Sequence, residues 1–176
     1  YQKAGARRFS IVTSGTRLTD SEVEKLCNIY AKITAQCEIK VCASHGLLTG
    51  EQFRMLRQAG VRRYHNNLET SRRYFPYICT THSYEQKLAV IHLAQQAGLC
   101  VCSGGIFGMG ERMEDRIDMA FELRGLGIKS VPLNLLNPVK GTPLEGRPLI
   151  SEEEALKTAA IFRFILPDAQ LRLAGG

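Results

Sequence analysis

Short apolar runs of strand length alternate along this chain with longer segments whose apolar residues recur at helical spacing. Residues 8–12 read as a first strand. Thr19-Asp20-Ser21-Glu22 then offers helix-start chemistry ahead of an amphipathic run to about Ile33. Residues 38–43 form a second strand, and Thr49-Gly50-Glu51 opens a helix that ends near Gly60. Residues 61–65 are a third strand. Residues 83–97 are a strong helix, with Leu88, Ile91, Leu93 and Ala94 among its apolar positions and Gly98 as its stop. Residues 99–103 are a fourth strand, 113–126 a helix ended by Gly127, and 128–136 hold a fifth strand. Ser151-Glu152-Glu153-Glu154 caps a helix to about Leu166, where Pro167 breaks it, and 170–173 form a sixth strand.

Strands separated by helices pair in parallel, because parallel neighbours need a crossover of this length. The expected fold class is therefore α/β, as an open doubly wound sheet or a barrel. In both, chemistry gathers where strands end at their carboxyl termini. Those ends carry Ser10, Thr13 and Ser14; Cys42, Ser44 and His45; His65-Asn66-Asn67-Leu68-Glu69-Thr70; Cys102; Asn134 and Asn137 with Lys140-Gly141-Thr142; and Arg172 running into Gly175-Gly176. Polar or soft residues at every such end point to one shared site.

Composition narrows the class. The chain has 176 residues with 44% hydrophobic content, enough for a proper core and unlike a disordered segment. The net charge of +6 is spread over Arg pairs at 7–8, 62–63 and 72–73, not a nucleic-acid stripe. No stretch approaches a membrane span and no signal peptide is evident, so neither nucleic acid nor membrane is an expected partner. The 6 cysteines are irregularly spaced and several lie in strands, which fits reduced thiols in a cytoplasmic protein. The chain begins at Tyr1 and stops just after a strand, so it reads as an internal piece of a longer protein.

Cys100-Val101-Cys102-Ser103-Gly104-Gly105-Ile106-Phe107-Gly108-Met109-Gly110-Glu111 carries the most chemistry. A strand with two thiols enters a glycine-rich loop that ends in a carboxylate. Such a loop lets a backbone approach a ligand, or it simply turns the chain. Asn66-Asn67 with Glu69 offers amides for a urea-like group and a carboxylate for ribose hydroxyls, or an Asn-rich turn bonded to its own backbone. Cys42 and Cys102 are soft metal ligands or small core residues. No Ser–His–Asp arrangement, GxxxxGK loop or HExxH occurs.

Tyr64-His65-Asn66-Asn67-Leu68-Glu69-Thr70-Ser71 resembles the YNHNLDTS segment of the biotin synthase family. Residues 101–106 resemble its VCSGGI strand, and Val131-Pro132-Leu133-Asn134 with Lys140-Gly141-Thr142-Pro143 resembles VPINxL…KGTPL. The likeness runs from about Arg8 to Gly176. Gly104-x-Ile106-x-Gly108-x-x-Glu111 alone would indicate the wider radical S-adenosylmethionine superfamily.

The resemblance implies a parallel (βα) barrel of TIM type, here incomplete at about six of eight units, as one domain over residues 1–176. It implies a [4Fe–4S] cluster on a CxxxCxxC loop that cleaves S-adenosylmethionine, and hydrogen abstraction from dethiobiotin. An auxiliary iron–sulfur cluster, [2Fe–2S] or a variant, supplies the sulfur. Carried over by position, Cys42 and Cys102 match auxiliary-cluster cysteines. Glu69, Asn67, Lys87, Gly104, Gly105 and Ile106 match the S-adenosylmethionine side; Asn67, Asn134 and His65 match the dethiobiotin side. No side chain is assigned as a catalytic acid, base or nucleophile. An electron donor of flavodoxin or ferredoxin type and a homodimer are implied partners.

The chain departs from the family pattern at several points. No CxxxCxxC occurs in this chain, so the piece alone is expected to be inactive. Ser10 stands where many members have a third auxiliary cysteine, and a hydroxyl is a poorer ligand for such iron. The family's Arg ligand falls just past Gly176. His65 and Asn66 also invert the family's Asn-His order. The alternatives are another radical S-adenosylmethionine enzyme of the same branch, or a non-catalytic barrel remnant.

Overall fold

Three of the predicted helices begin where a side chain satisfies backbone N–H groups that the helix itself leaves open. In the computed structural model, which describes residues 1–174, helix α1 (Asp20–Gln36) starts with a reciprocal capping box between Thr19 and Glu22. Helix α2 (Gly50–Gln58) repeats the device with Thr49 and Gln52. Helix α5 (Glu152–Ile165) is capped by the Ser151 hydroxyl, which accepts from Glu154 N–H. Helices α3 (Tyr84–Gln96) and α4 (Met113–Gly125) end at Gly98 and Gly127, whose φ of 78° and 67° turn the chain out of the helix. Gly175 and Gly176, the expected end of the last strand, lie outside the described residues.

The chain divides into two compact units, Tyr1–Asn66 with Glu85–Val101, and Asn67–Tyr84 with Cys102 onward. The first is built on a parallel sheet of β1 (Arg8–Val12), β2 (Lys40–Ser44), β3 (Arg63–His65) and β4 (Cys100–Cys102), whose last residue belongs to the second unit. Register pairs Ser10 with Cys42 and Cys42 with Arg63. The core holds Val23, Tyr30, Phe53, Leu56, Val61, Tyr64 and Ile91. Phe53 meets Tyr64 edge-on at 4.7 Å.

The second unit carries the parallel strands β5 (Gly105–Phe107), β6 (Ser130–Leu135) and β7 (Gln170–Ala174). Its core holds Leu68, Phe75, Phe107, Met119, Leu123, Val131 and Phe162. Strand order follows chain order in both sheets. A doubly wound sheet reverses its order at a switch point, so the barrel alternative is the one that agrees with this topology.

One expectation needs correction. Residues 104–110 read as a glycine loop, yet Gly105–Phe107 is strand β5, so the described chain has a seventh strand. Glycine is a poor strand former, but Gly105 is held on two sides, bridging to Glu69 and pairing with Leu133 of β6. Tertiary pairing outweighs the local preference.

Candidate functional site

In the second unit, the segment after the third strand and the glycine segment are stitched together. Glu69 N–H donates to Gly104 C=O at 3.1 Å, and Ile106 N–H donates to Glu69 C=O at 2.9 Å. Asn67 Oδ1 accepts from Gly104 N–H at 3.0 Å. Asn134, from β6, donates Nδ2 to Gly105 C=O at 3.0 Å. Of the predicted residues, Asn67, Glu69, Gly104, Gly105, Ile106 and Asn134 are therefore brought together. One end of each amide bonds backbone distant in sequence, at Gly104 and Gly105, not the backbone of its own turn. The Nδ2 donors of Asn67 and the Oδ1 acceptor of Asn134 lie outside these bonds.

Glu69 has φ 71°, the one non-glycine residue with positive φ among the described residues. That conformation costs on the order of 1–2 kcal/mol and concentrates at functional positions. The glycines have a packing reason of their own. A Cβ on Gly104 would lie 1.9 Å from Pro132 O, and one on Gly105 would meet Glu69 O at 2.5 Å. Close approach of backbone to backbone demands them, whether or not a ligand lies beyond.

Glu111 closes the loop. Its carboxylate accepts from Gly108 N–H at 2.9 Å, Gly110 N–H at 3.1 Å and Arg116 Nε at 2.8 Å. Arg116, itself buried, also reaches Glu154 at 2.8 Å and Thr158 at 2.9 Å. Ser71 donates to Asp115 at 2.6 Å, fixing the other end of the Asn67–Ser71 segment. Glu111 was read from sequence as the carboxylate that ends the glycine loop, but its partners Arg116 and Thr158, and Asp115, were not singled out. An acidic and a basic residue five apart across a helix start is a weak signal.

Cys102 is buried, and its sulfur accepts from Ser130 Oγ at 3.4 Å and from Arg172 Nη2 at 3.5 Å. A cysteine serving only as apolar filler needs no such donors. A soft sulfur amid donors fits a thiolate that binds metal. Thr70 Oγ1 and Ser103 Oγ are buried with no hydrogen-bond partner among the described residues, which fits a polar ligand nearby.

In the first unit, Ser10 sits beside Cys42 on the neighbouring strand, Ser10 exposed and Cys42 buried. His65 is half-buried at the end of β3 and Lys87 is buried on α3. His45, at the end of β2, is fully enclosed. Its Nδ1 meets Thr13 Oγ1 at 3.1 Å, its Nε2 meets Tyr30 OH at 2.9 Å, and its backbone N–H donates to Tyr64 OH at 3.0 Å. Tyr30 OH also reaches Cys42 C=O at 3.2 Å. Desolvation lowers the His45 pKa to about 4 and raises both tyrosines, so the ring is neutral and both phenols stay protonated near neutral pH. From sequence His45 reads as a polar strand-end residue and a candidate ligand or acid–base group; the network needs Tyr30, which the helix pattern hides. Among the described residues no three His, Cys, Asp or Glu side chains form a metal-binding group. In the second unit a cavity of about 250 Å³ is lined by Arg124, residues 127–129 and residues 164–169, none of them a candidate residue.

The Radical SAM superfamily family matches residues 1–123, and the Biotin and Thiamin Synthesis associated domain matches residues 132–176. A biotin synthase of Clostridium botulinum (strain Langeland) is 59% identical over 176 residues, covering 100% of this chain and 55% of the relative. A biotin synthase of Heliobacterium modesticaldum is 58% identical over 172 residues, covering 98% and 53%. The chain thus spans about half the length of the curated relatives it matches. Methylornithine synthase superposes with a TM-score of 0.83 at 20% identity over 98% of this chain and 52% of its own. The FeFe-hydrogenase maturase of Carboxydothermus hydrogenoformans gives 0.82 at 20% identity over 98% and 43%. Those two likenesses bear out the parallel α/β, TIM-type fold expected from sequence. The chain is similar over its length to biotin synthases, and it belongs to the radical S-adenosylmethionine superfamily.

Proposed function

We propose that the protein carrying this chain is a biotin synthase, an enzyme that inserts sulfur into dethiobiotin by radical S-adenosylmethionine chemistry. The carrying observation is the pair of amides on one stretch of backbone. Asn67 spends its oxygen on Gly104 and Asn134 spends its nitrogen on Gly105. A donor on Asn67 and an acceptor on Asn134 remain, the complement of a cyclic urea with its N–H and C=O groups.

When bound, S-adenosylmethionine and a reduced [4Fe–4S] cluster supply the radical that removes hydrogen from unactivated carbon, and an auxiliary iron–sulfur cluster supplies the sulfur. This chain's residues bind and orient. Asn67, Asn134 and His65 hold dethiobiotin. Glu69 accepts from ribose hydroxyls, and its left-handed backbone sets the direction of its carboxylate. Lys87 pairs with the methionine carboxylate, and the backbone at Gly104, Gly105 and Ile106 borders the adenosine. Cys42 and Cys102 anchor the auxiliary cluster, of [2Fe–2S] type or a variant, and Ser10 is not a ligand. The radical cluster needs ligands outside these residues, since no CxxxCxxC occurs among them. A flavodoxin- or ferredoxin-type donor, a homodimer and a cytoplasmic setting complete the reading; reduced thiols throughout fit that setting.

The test is dethiobiotin titration of the full-length protein, reconstituted anaerobically. Asn67→Asp keeps the acceptor for Gly104 N–H but removes the amide donor. Affinity should fall by about 1–3 kcal/mol with folding stability little changed. Unaltered dethiobiotin affinity would count against the assignment.

A further inference from the structure

We infer that Arg172 tunes the iron–sulfur centre at Cys102 by donating a hydrogen bond to the cysteine sulfur; this rests on the reading of Cys102 as an auxiliary-cluster ligand. Cys102 is 1% exposed at the end of β4. Two donors from two successive parallel strands converge on its sulfur, Ser130 from β6 and Arg172 from β7, at 3.4 and 3.5 Å. Register on β6 and β7 puts Arg172 beside Pro132, two residues beyond Ser130. Arg172 forms no ion pair with a carboxylate among the described residues, and its guanidinium donates to the Cys102 sulfur.

A cysteine that binds iron keeps negative charge on sulfur. Reduction of the cluster adds more. A hydrogen bond from a cationic guanidinium favours the more negative, reduced state, and hydrogen bonds to sulfur are a main control on cluster potentials. Ser130 supplies a neutral and weaker contribution of the same sign. Arg172 is a positioning and tuning residue, distinct from any ligand.

The experiment measures the midpoint potential of the auxiliary cluster in the full-length, anaerobically reconstituted protein and its variants, by spectroelectrochemical titration, with circular dichroism as the check on folding. Arg172→Met should move the midpoint to a more negative value, by about tenfold in the reduction equilibrium, or about 59 mV for one electron. Ser130→Ala should shift it less in the same direction. Arg172→Lys, which keeps the charge and a donor, should recover part of the shift. An unchanged midpoint in Arg172→Met, with Cys102→Ala lacking the auxiliary cluster, overturns the tuning role alone. A folded Arg172→Met that binds no auxiliary cluster also overturns it, because the arginine then holds the cluster instead of tuning it. A Cys102→Ala variant that retains the full auxiliary cluster removes the ligand reading and the inference together.

Discussion

His45 has an ordinary polar neighbourhood in sequence, Ala43-Ser44-His45-Gly46, and a closed one in the structure. Burial takes its pKa from 6.5 to about 4, with desolvation as the cause. The unfolded chain therefore binds a proton near pH 6.5 that the native protein refuses until about pH 4. Stability from this residue is complete above pH 6.5 and is lost as pH falls from there toward 4. Urea unfolding between pH 7 and pH 4 should show a flatter decline in His45→Gln than in the parent. Parallel declines would mean that His45 takes up its proton in the folded state as readily as in the unfolded one. At Glu69 and Asn67 the chemistry was legible as residue type, but the positive φ of one and the backbone bond of the other were not.

Helix α4 and the loop before it show how an element holds the site without entering it. Glu111 and Arg116 form a buried ion pair, with Arg116 also bonded to Thr158 of α5. Arg116→Met leaves the Glu111 carboxylate buried beside fewer donors, and chemical denaturation should register a loss of about 3–5 kcal/mol. The Glu111→Gln, Arg116→Met double variant should lose less than the two singles added, since no charge is then stranded. Glycines in the same region separate cleanly. Gly104→Ala drives a Cβ into Pro132 O and should cost about 3 kcal/mol or more. Gly125→Ala at the end of α4 meets nothing within 4 Å and should gain up to about 1 kcal/mol. Thermal or denaturant melts of the two variants must move in opposite directions.

At the scale of the whole protein, the prediction concerns iron. In the full-length, anaerobically reconstituted protein, Ser10→Ala should leave iron and sulfide content nearly unchanged. Cys42→Ala or Cys102→Ala should lower both to the level of the radical cluster alone. Ser10 is the register partner of Cys42, so it is well placed for contact and yet poorly suited as a ligand. Iron and sulfide analysis with Mössbauer spectra decides. A Cys42→Ala, Cys102→Ala double variant with full auxiliary-cluster occupancy would refute the cysteine assignment.

What the amino-acid sequence determined alone was whatever depends on near neighbours. The capping pairs Thr19–Glu22 and Thr49–Gln52 lie three residues apart, the stops at Gly98 and Gly127 are single-residue properties, and the strand–helix alternation follows from local periodicity. The motif residues gave the family and the candidate list. Tertiary structure alone decided strand β5, the left-handed turn at Glu69, the closure of His45 and the convergence on Cys102. Asn67 and Gly104 are 37 residues apart, and Cys102 and Arg172 are 70 apart. No local pattern encodes such pairs, because their contacts exist only after the crossover helices have brought the strands side by side.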